Sequence, residues 1–201
     1  MSNWRNFLTE FKKFAGLLAE QSGEIIRQYF RTPFSVENKR DASPVTIADR
    51  KAEEVMRELI MKEFPQHGII GEEADNHQSD AEYKWVLDPI DGTLNFICGG
   101  WMFGTLIALL QENEPILGVI HQPILNELVA GDNVSTTFNG ENVRVRNCDT
   151  ISDAALLTTD PYLIKQYQNF EAFEKLRRSV KIYRGWGDCY GYVLLATGQV
   201  D

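Results

Sequence analysis

Asp88 and Asp91 stand three residues apart at the end of an apolar segment, residues 85–96 (WVLDPIDGTLNF). We expect a short strand that runs into a loop carrying both carboxylates, because Pro89 favours extended backbone at the residue before it. Two crowded carboxylates repel each other unless a cation lies between them, and Mg²⁺ takes carboxylate and carbonyl oxygens while sharing its shell with phosphate. The spacing therefore indicates a divalent-metal site, although Asp-Pro and Asp-Gly also occur in ordinary turns.

The two residues that follow the aspartates are suited to phosphate. Gly92 permits a sharp turn close to a ligand. Thr93 is predicted to cap a short helix whose first N–H groups would face that ligand. The segment is therefore predicted to place a phosphate cradle beside the metal site.

Two more carboxylates precede this segment. Glu72 follows a predicted short strand over residues 67–71, and two consecutive strands that end in acids can bring all three side chains around one ion. Two unrelated solvated turns are the alternative. Asp49 lies three residues after Thr46, which is a helix-start signature. Spacing alone favours a plain capping role for Asp49.

The composition bounds the class of protein. The chain has 201 residues, of which 43% are hydrophobic and 24% charged, as in one large or two small globular domains. Its net charge of −9 argues against a nucleic-acid or anionic-membrane partner, which would require a basic surface. A phosphate substrate stays compatible with that charge, because bound Mg²⁺ inverts the local field.

The cysteines and the apolar runs suggest a compartment. Cys98, Cys148 and Cys189 are odd in number and widely spaced, as expected for free thiols in a reducing cytoplasm. No apolar run reaches the roughly 18 residues of a membrane span, and the first residues lack a signal-peptide pattern. We therefore predict a cytoplasmic location.

The first half of the chain is predicted to form two helices followed by a sheet. Apolar positions recur with helical spacing over residues 4–30, and a second helix is predicted from Thr46 to about Phe64. Strands then follow one another over residues 103–145 without intervening helices, with Asn139-Gly140 as a hairpin signal. This sheet is therefore predicted to be antiparallel.

The pattern changes near residue 150. A strand (154–159), a helix (162–180), a strand (181–184) and a helix beginning at Tyr190 alternate, which is α/β order. The fold class is thus predicted to pass from α+β to α/β. We predict an α+β subdomain over residues 1–150 that holds the metal and phosphate site, and the start of an α/β subdomain over residues 151–201 that carries substrate specificity.

Three segments together resemble the inositol monophosphatase-like family of Mg²⁺-dependent phosphatases. Residues 88–96 (DPIDGTLNF) match the acidic signature of the family, and residues 71–73 (GEE) and 43–49 (SPVTIAD) match the two motifs before it. The resemblance spans nearly the whole chain. It implies the layered αβαβα sugar-phosphatase fold, with its C-terminal α/β part incomplete, and a phosphatase that depends on Mg²⁺ or on Mn²⁺.

The resemblance also implies metal ligands. Glu72, Asp88 and the carbonyl of Ile90 would hold a first ion. Asp88 and Asp91 would share a second ion. Asp49 would contact a weaker third ion through water.

Roles in catalysis follow from the same resemblance. Glu72 and Thr93 would orient the attacking water, with Thr93 relaying charge toward Asp49. Backbone N–H groups at the start of the predicted helix would hold phosphate oxygens. Family members are often dimeric, so a homodimer acting on a small phosphorylated substrate is expected. The candidate substrate contacts are Asp91, Gly92, Thr93, Arg184 and Asp188.

The substrate is suggested by residues 187–192 (GDCYGY) and 158–162 (TTDPY), which resemble the histidinol-phosphatase branch of the family. Asp188 would meet the cationic amine or imidazole of histidinol phosphate, whereas inositol offers no cation to meet. A helix N-cap after Gly187 is the plain alternative for Asp188. We predict hydrolysis of histidinol phosphate in histidine biosynthesis. Inositol 1-phosphate or related sugar and nucleotide phosphates are alternative substrates, and a non-catalytic metal- or partner-binding protein is a third possibility.

The family pattern continues beyond a Gly-x-Val-Asp segment such as residues 198–201 (GQVD). A Trp-Asp-like motif then supplies an aspartate that completes the second metal site. The 201 residues do not contain this motif. The expectation is either a fragment or a member with weakened metal binding and turnover.

Overall fold

The structure is a computed structural model that describes residues 2–38 and 44–201. Ser43 of the third family motif, and most of the polar turn predicted before it, lie outside the described residues. None of the helices in the described part of the chain is both long enough and apolar enough to span a bilayer.

Two helices open the fold, as predicted. Helix α1 spans Ser2–Tyr29 and α2 spans Ile47–Glu63. Between them, the short antiparallel strands β1 (Val36–Asn38) and β2 (Pro44–Thr46) pair with each other. Buried side chains of α1, including Phe11, Ala15, Leu18 and Ile26, recur on one face of the helix.

A seven-stranded sheet forms the centre of the fold, and its spatial order equals its order along the chain. β3 runs parallel to β4, and every later neighbouring pair in this sheet is antiparallel. The predicted antiparallel series is therefore confirmed. The strands are β3 (Gly68–Gly71), β4 (Tyr83–Asp91), β5 (Gly104–Gln111), β6 (Glu114–Gln122), β7 (Glu127–Asp132), β8 (Thr136–Phe138) and β9 (Glu141–Val143).

Strand β4 is longer than the sequence predicts. The predicted loop after Leu87 is instead a continuation of the strand, with Asp88 opposite Leu106 and Asp91 opposite Gly104. Three steps on β4 thus face two steps on β5, which is a β-bulge. Pro89 lies within the bulge and cannot donate to the ladder. The prediction of a loop was wrong because pairing with β5 resumes beyond the proline.

An aromatic cluster packs α1 and Phe64, the residue at the end of α2, against the middle of β4. The ring of Trp85 is fully buried, and it lies 6.0 Å from Phe11 and 5.5 Å from Phe14 between ring centroids. Both pairs are edge-to-face, an arrangement that contributes roughly 0.5–1.5 kcal/mol beyond area burial. This packing fixes β4 three residues before Asp88.

The C-terminal part has the predicted α/β order. Its two strands pair in parallel as a separate sheet. The single helix predicted over residues 162–180 is two helices, because Asn169 caps the second one by accepting the Ala172 N–H at 3.0 Å. The proposed boundary between subdomains stays a prediction. The elements are β10 (Ala155–Thr158), α4 (Pro161–Tyr167), α5 (Phe170–Ser179), β11 (Ile182–Gly185) and α6 (Asp188–Ala196).

Candidate active site

The parallel pairing of β3 and β4 brings acids from two separate segments to one edge of the sheet. Gly71 lies opposite Leu87, and the Glu72 N–H donates to the Leu87 carbonyl at 3.2 Å. Glu72 therefore stands beside Asp88, close enough for its carboxyl group to contribute to the raised pKa of Asp88. Glu72 is solvent-exposed, so this edge is open to a ligand.

Within the cluster, Asp88 has a strongly raised pKa. Burial raises the pKa of Asp88 to about 9, with further contributions from the carboxyl group of Glu72 and from the charges of Asp91 and Asp49. Its Oδ1 is buried and has no hydrogen-bond partner among the described residues. A buried, unpaired carboxylate oxygen among like charges requires a proton or a cation.

Asp91 joins the cluster to the C-terminal part of the chain. Its Oδ2 accepts the backbone N–H of Cys189 at 2.5 Å. Burial raises the pKa of Asp91, while the hydrogen bonds from Cys189 act in the opposite direction. Burial likewise raises the pKa of the Cys189 thiol. This thiol is therefore neutral and is no nucleophile.

Asp49 has the capping role that its spacing predicts. It is 1% exposed and accepts from both the backbone N–H and the hydroxyl of Thr46, and the Thr46 hydroxyl accepts the Ala48 N–H. Burial raises the pKa of Asp49, and the charge of Glu72 adds to the rise. The helix start thus also places Asp49 within the electrostatic reach of the cluster.

Gly92, not Thr93, is the N-cap of the short helix that follows β4, α3 (Thr93–Ile97). The prediction for Thr93 was wrong because the chain turns with φ +88° at Gly92, a left-handed conformation that glycine adopts without strain. Thr93 is the first helical residue, and its hydroxyl donates to the Ile90 carbonyl at 3.1 Å. The hydroxyl and the predicted metal-binding carbonyl therefore lie together.

Asp188 lies against the start of α3. Its Oδ2 accepts from Asn95 Nδ2 at 2.5 Å, and a Cβ atom on Gly92 would lie 2.8 Å from the same oxygen. The N-cap alternative for Asp188 was wrong, because Gly187 occupies that position and no side chain caps α6. The side chain of Asp188 is instead directed at the predicted phosphate loop.

A groove of about 190 Å³ opens beside Asp188, and Trp186 and Tyr192 are among its lining residues. Arg184 lies on β11 nearby, where its guanidinium stands 5.9 Å from the Trp186 ring and donates to the Tyr183 carbonyl. Among the described residues, no hydrogen bond or ion pair joins Arg184 to the carboxylate cluster. The structure therefore brings Asp188, but not Arg184, to that cluster.

Sequence reasoning missed Glu53. This side chain is 1% exposed, and it accepts the backbone N–H groups of Glu73 at 2.7 Å and of Ala74 at 3.2 Å. The available signal was a glutamate next to Ala52 on the face of α2 that carries the buried Met56. Its partners lie twenty residues away in sequence, so spacing alone does not reveal them.

The residue types in the cluster fit a divalent cation, although the carboxylate oxygens do not all lie within coordination distance of a single position. Across residues 2–38 and 44–201, no three His, Cys, Asp or Glu side chains form a ready-made ligand set. The fit rests on the unpaired Asp88 oxygen, on the raised pKa values of Asp88 and Asp91, and on all-oxygen donors. Oxygen donors of this kind are those that Mg²⁺ and Mn²⁺ prefer.

The chain is similar to known proteins along nearly its whole length. The model of the inositol monophosphatase family matches residues 8–201. The Arabidopsis thaliana protein named bifunctional phosphatase IMPL2, chloroplastic, is 48% identical over 199 residues, which are 96% of this chain and 57% of that protein. A histidinol-phosphatase of Chlorobaculum parvum is 41% identical over 187 residues, or 92% of this chain and 72% of that protein.

Solved structures of the same fold are also similar. An inositol monophosphatase from Zymomonas mobilis superposes with a TM-score of 0.84 at 43% identity, covering 96% of this chain and 75% of that one. An IMPase of Thermotoga maritima gives a TM-score of 0.84 at 27% identity, covering 94% of this chain and 73% of that one. The 201 residues therefore span little more than half of the Arabidopsis relative and about three quarters of the others.

Proposed function

Because the chain belongs to the inositol monophosphatase family, we propose that it serves as a divalent-metal-dependent phosphomonoesterase whose substrate is histidinol phosphate. The observation that carries the proposal is the position of Glu72 beside Asp88 at one sheet edge, with Asp91 close enough for its charge to raise the pKa of Asp88, and with a buried Asp88 oxygen that lacks a partner among the described residues. Mg²⁺ is the proposed cofactor, and Mn²⁺ an alternative. The cytoplasmic location and the homodimer stay predictions.

The proposed division of labour among the residues follows their positions. Glu72, Asp88, Asp91 and the carbonyl of Ile90 would hold the cations. Bound divalent cations acidify water and stabilise charge on the attacking and leaving oxygens of an in-line displacement. Asp49, buried in the cap of α2, would act more remotely from the reacting atoms.

Thr93 and Glu72 would orient the water that attacks phosphorus. The exposed Glu72 carboxylate would accept a hydrogen bond from one O–H of this water and take up its proton during attack, while the Thr93 hydroxyl would accept a hydrogen bond from the other O–H. In the structure that hydroxyl donates to Ile90, which leaves its lone pairs available. The water oxygen would bond to phosphorus as the bond to the ester oxygen breaks, and the ester oxygen would leave as the alcohol after taking a proton from solvent, so no phosphoenzyme is needed.

Asp188 supports the choice of histidinol phosphate. Its carboxylate stands beside Gly92, where the phosphate would bind, and at the mouth of the groove that would receive the organic part. Histidinol carries an amine and an imidazole that a carboxylate attracts, whereas inositol carries no charge outside its phosphate. The name of the Chlorobaculum relative points the same way.

Inositol 1-phosphate is the second candidate substrate, favoured by the 43% identity to the inositol monophosphatase of Zymomonas mobilis. The test compares phosphate release from histidinol phosphate and from inositol 1-phosphate, each with Mg²⁺ and with a chelator. We expect a kcat/KM at least tenfold higher for histidinol phosphate and no turnover in chelator. Equal turnover of the two esters, or absent turnover of histidinol phosphate, would reject the substrate assignment.

A further inference from the structure

Glu53 lies directly behind the end of β3. It follows Asp49 by one turn of α2, and both side chains are 1% exposed. Oε2 of Glu53 accepts the Glu73 N–H at 2.7 Å, and Oε1 accepts the Ala74 N–H at 3.2 Å. Hydrogen bonds to an ionised carboxylate are about twice as strong as neutral ones. The turn after Glu72 is therefore tied to α2.

The residue before Glu72 also contacts this carboxylate. A Cβ atom on Gly71 would lie 2.1 Å from Glu53 Oε1 and 2.9 Å from Arg57 Nη1. No side chain fits into that space, so the backbone of Gly71 lies directly against Glu53. Glu72 is thus held from both sides, by a close approach before it and by a hydrogen bond after it.

Arg57 supports Glu53 from the next turn of α2. Its Nη1 donates to Glu53 Oε1 at 3.2 Å, and its Nη2 donates to the Asp75 carbonyl at 2.7 Å. A buried carboxylate is costly unless a cation pairs with it, and Arg57 meets that requirement. The same guanidinium fixes the chain three residues beyond Glu72.

We infer that Glu53, paired with Arg57, is a positioning residue that sets the orientation of Glu72 and thereby the affinity for Mg²⁺ and the rate of turnover. The inference rests on the proposed function, in which Glu72 holds the cation and orients water. Glu53 touches neither the groove beside Asp188 nor the start of α3 among the described contacts. Its loss therefore leaves binding of the organic part of the substrate unchanged.

The decisive variant is Glu53→Gln, with Glu54→Gln as its matched control. Glu54 is the exposed neighbour on the same helix and undergoes the same chemical change. A glutamine amide has one acceptor oxygen and one donor NH₂ group, so it cannot accept both backbone N–H groups. One of those groups would face another donor, and the turn after Glu72 would loosen.

Three measurements separate positioning from plain stability. Hydrogen exchange reports the amides of Glu73 and Ala74, calorimetric titration with Mg²⁺ in the absence of substrate reports affinity, and steady-state kinetics report kcat and KM. For Glu53→Gln we expect faster exchange, about tenfold weaker Mg²⁺ binding and a kcat lowered about 10- to 100-fold, with KM changed less than about twofold. Glu54→Gln should match the wild type in all three.

Gly71→Ala provides a second variant in case Glu53→Gln fails to fold. The new Cβ presses on the Glu53 carboxylate from the side of β3 without removing it. We therefore again expect a lower kcat with KM changed less than about twofold. A lower melting temperature with Mg²⁺ affinity and kcat both within twofold of the control would show a merely structural role and overturn the inference.

The inference and the proposed function fail in different ways. If neither phosphate ester is hydrolysed by the wild type but Glu53→Gln still weakens Mg²⁺ binding tenfold, the proposed function falls and the positioning role stands. If the wild type hydrolyses histidinol phosphate and the variant matches it in Mg²⁺ affinity and kcat, only the positioning role falls. A wild type that binds no Mg²⁺ overturns both.

Discussion

The strand ends that carry Asp88 and Asp91 lie over a buried core that includes Trp85, Leu87 and Ile90, whereas helices α4 and α5 contain no buried residue. Asp91 is therefore fixed by the packing of β4 and by the hydrogen bond that it accepts from the Cys189 N–H on α6. The groove beside Asp188 is lined mainly from β10 and α6, whose buried hydrophobic residues are Ala155, Cys189, Tyr190 and Val193. Reactive groups on rigid elements keep their geometry, and exposed segments can vary to suit a substrate.

Asp91→Asn tests the rigid region most severely. The amide keeps the shape and can still accept the Cys189 N–H, but it removes one anionic ligand from the cluster. We expect kcat to fall at least about 1,000-fold, since the oxyanion-stabilising cation would be lost or displaced. Phosphate release measures the loss, and circular dichroism should show an unchanged fold. Asp80→Asn, at an exposed position, is the control; surviving activity in Asp91→Asn would refute the metal assignment.

Gly92→Ala separates backbone strain from crowding at the site. Gly92 and Gly140 both have φ +88°, but a Cβ on Gly140 meets nothing within 4 Å, whereas one on Gly92 meets Asp188 Oδ2 at 2.8 Å. Both alanine variants should lose roughly 1 kcal/mol of stability. Activity should fall about 100-fold for Gly92→Ala and stay within twofold for Gly140→Ala. Equal activity losses would mean that the approach of Asp188 to Gly92 is irrelevant to function.

Asp188→Asn probes the half-buried carboxylate between the groove and the start of α3. The amide can still accept the hydrogen bond from Asn95, so the change removes charge with little change of shape. We expect the ratio of kcat/KM for histidinol phosphate over inositol 1-phosphate to fall about tenfold, the effect of losing a partly solvated charge pair. The change should appear mainly in KM. An unaltered ratio would remove Asp188 from substrate recognition.

His121 should give the smallest effect, on stability and not on turnover. It is 1% exposed on β6, and burial lowers its pKa, with Glu20, the Ala19 backbone and Arg27 as its polar neighbours. Below about pH 6.5 the His121 side chain binds a proton in the unfolded chain but not in the folded chain. The free energy of unfolding therefore falls as the pH drops below this value.

We expect a loss of about 1–2 kcal/mol from this group between pH 7 and pH 5. Denaturant titrations at the two pH values measure it, and His121→Gln should reduce the difference. His67, whose pKa is also lowered by burial, contributes in the same direction, so His67→Gln is the comparison variant. A pH dependence that His121→Gln leaves unchanged would contradict the assignment.

Much of the fold could be predicted because its signals are local. The capping pair Thr46 and Asp49, and the Asn139-Gly140 hairpin, each depend on neighbours within a few residues, and both are present. The extension of β4 past Pro89 could not be predicted, since it depends on pairing with β5. The division of the predicted helix 162–180 at Asn169 was missed because apolar residues keep helical spacing on both sides of Asn169. The hydrogen bond by which Asn169 caps the second helix leaves no mark on that spacing.

The sequence pointed to the acidic side chains of the candidate site but not to the residues that hold those side chains in position. Glu72 follows the end of β3, and Asp88 and Asp91 lie in the last four residues of β4, within segments whose acidic pattern the sequence reveals. Glu53 and Asn95 act through partners far away in the chain, and no spacing rule connects them. Residues that bear chemistry are therefore easier to predict from sequence than those that hold them in place.

The central claim is that carboxylates from separate strands converge to bind a divalent cation that phosphate hydrolysis requires. A crystal soaked with Mn²⁺ and phosphate tests this directly through the anomalous signal of manganese. The account predicts a manganese peak between Glu72, Asp88 and Asp91, with phosphate beside Gly92. Carboxylates that point away from one another, with no anomalous peak among them, would contradict it.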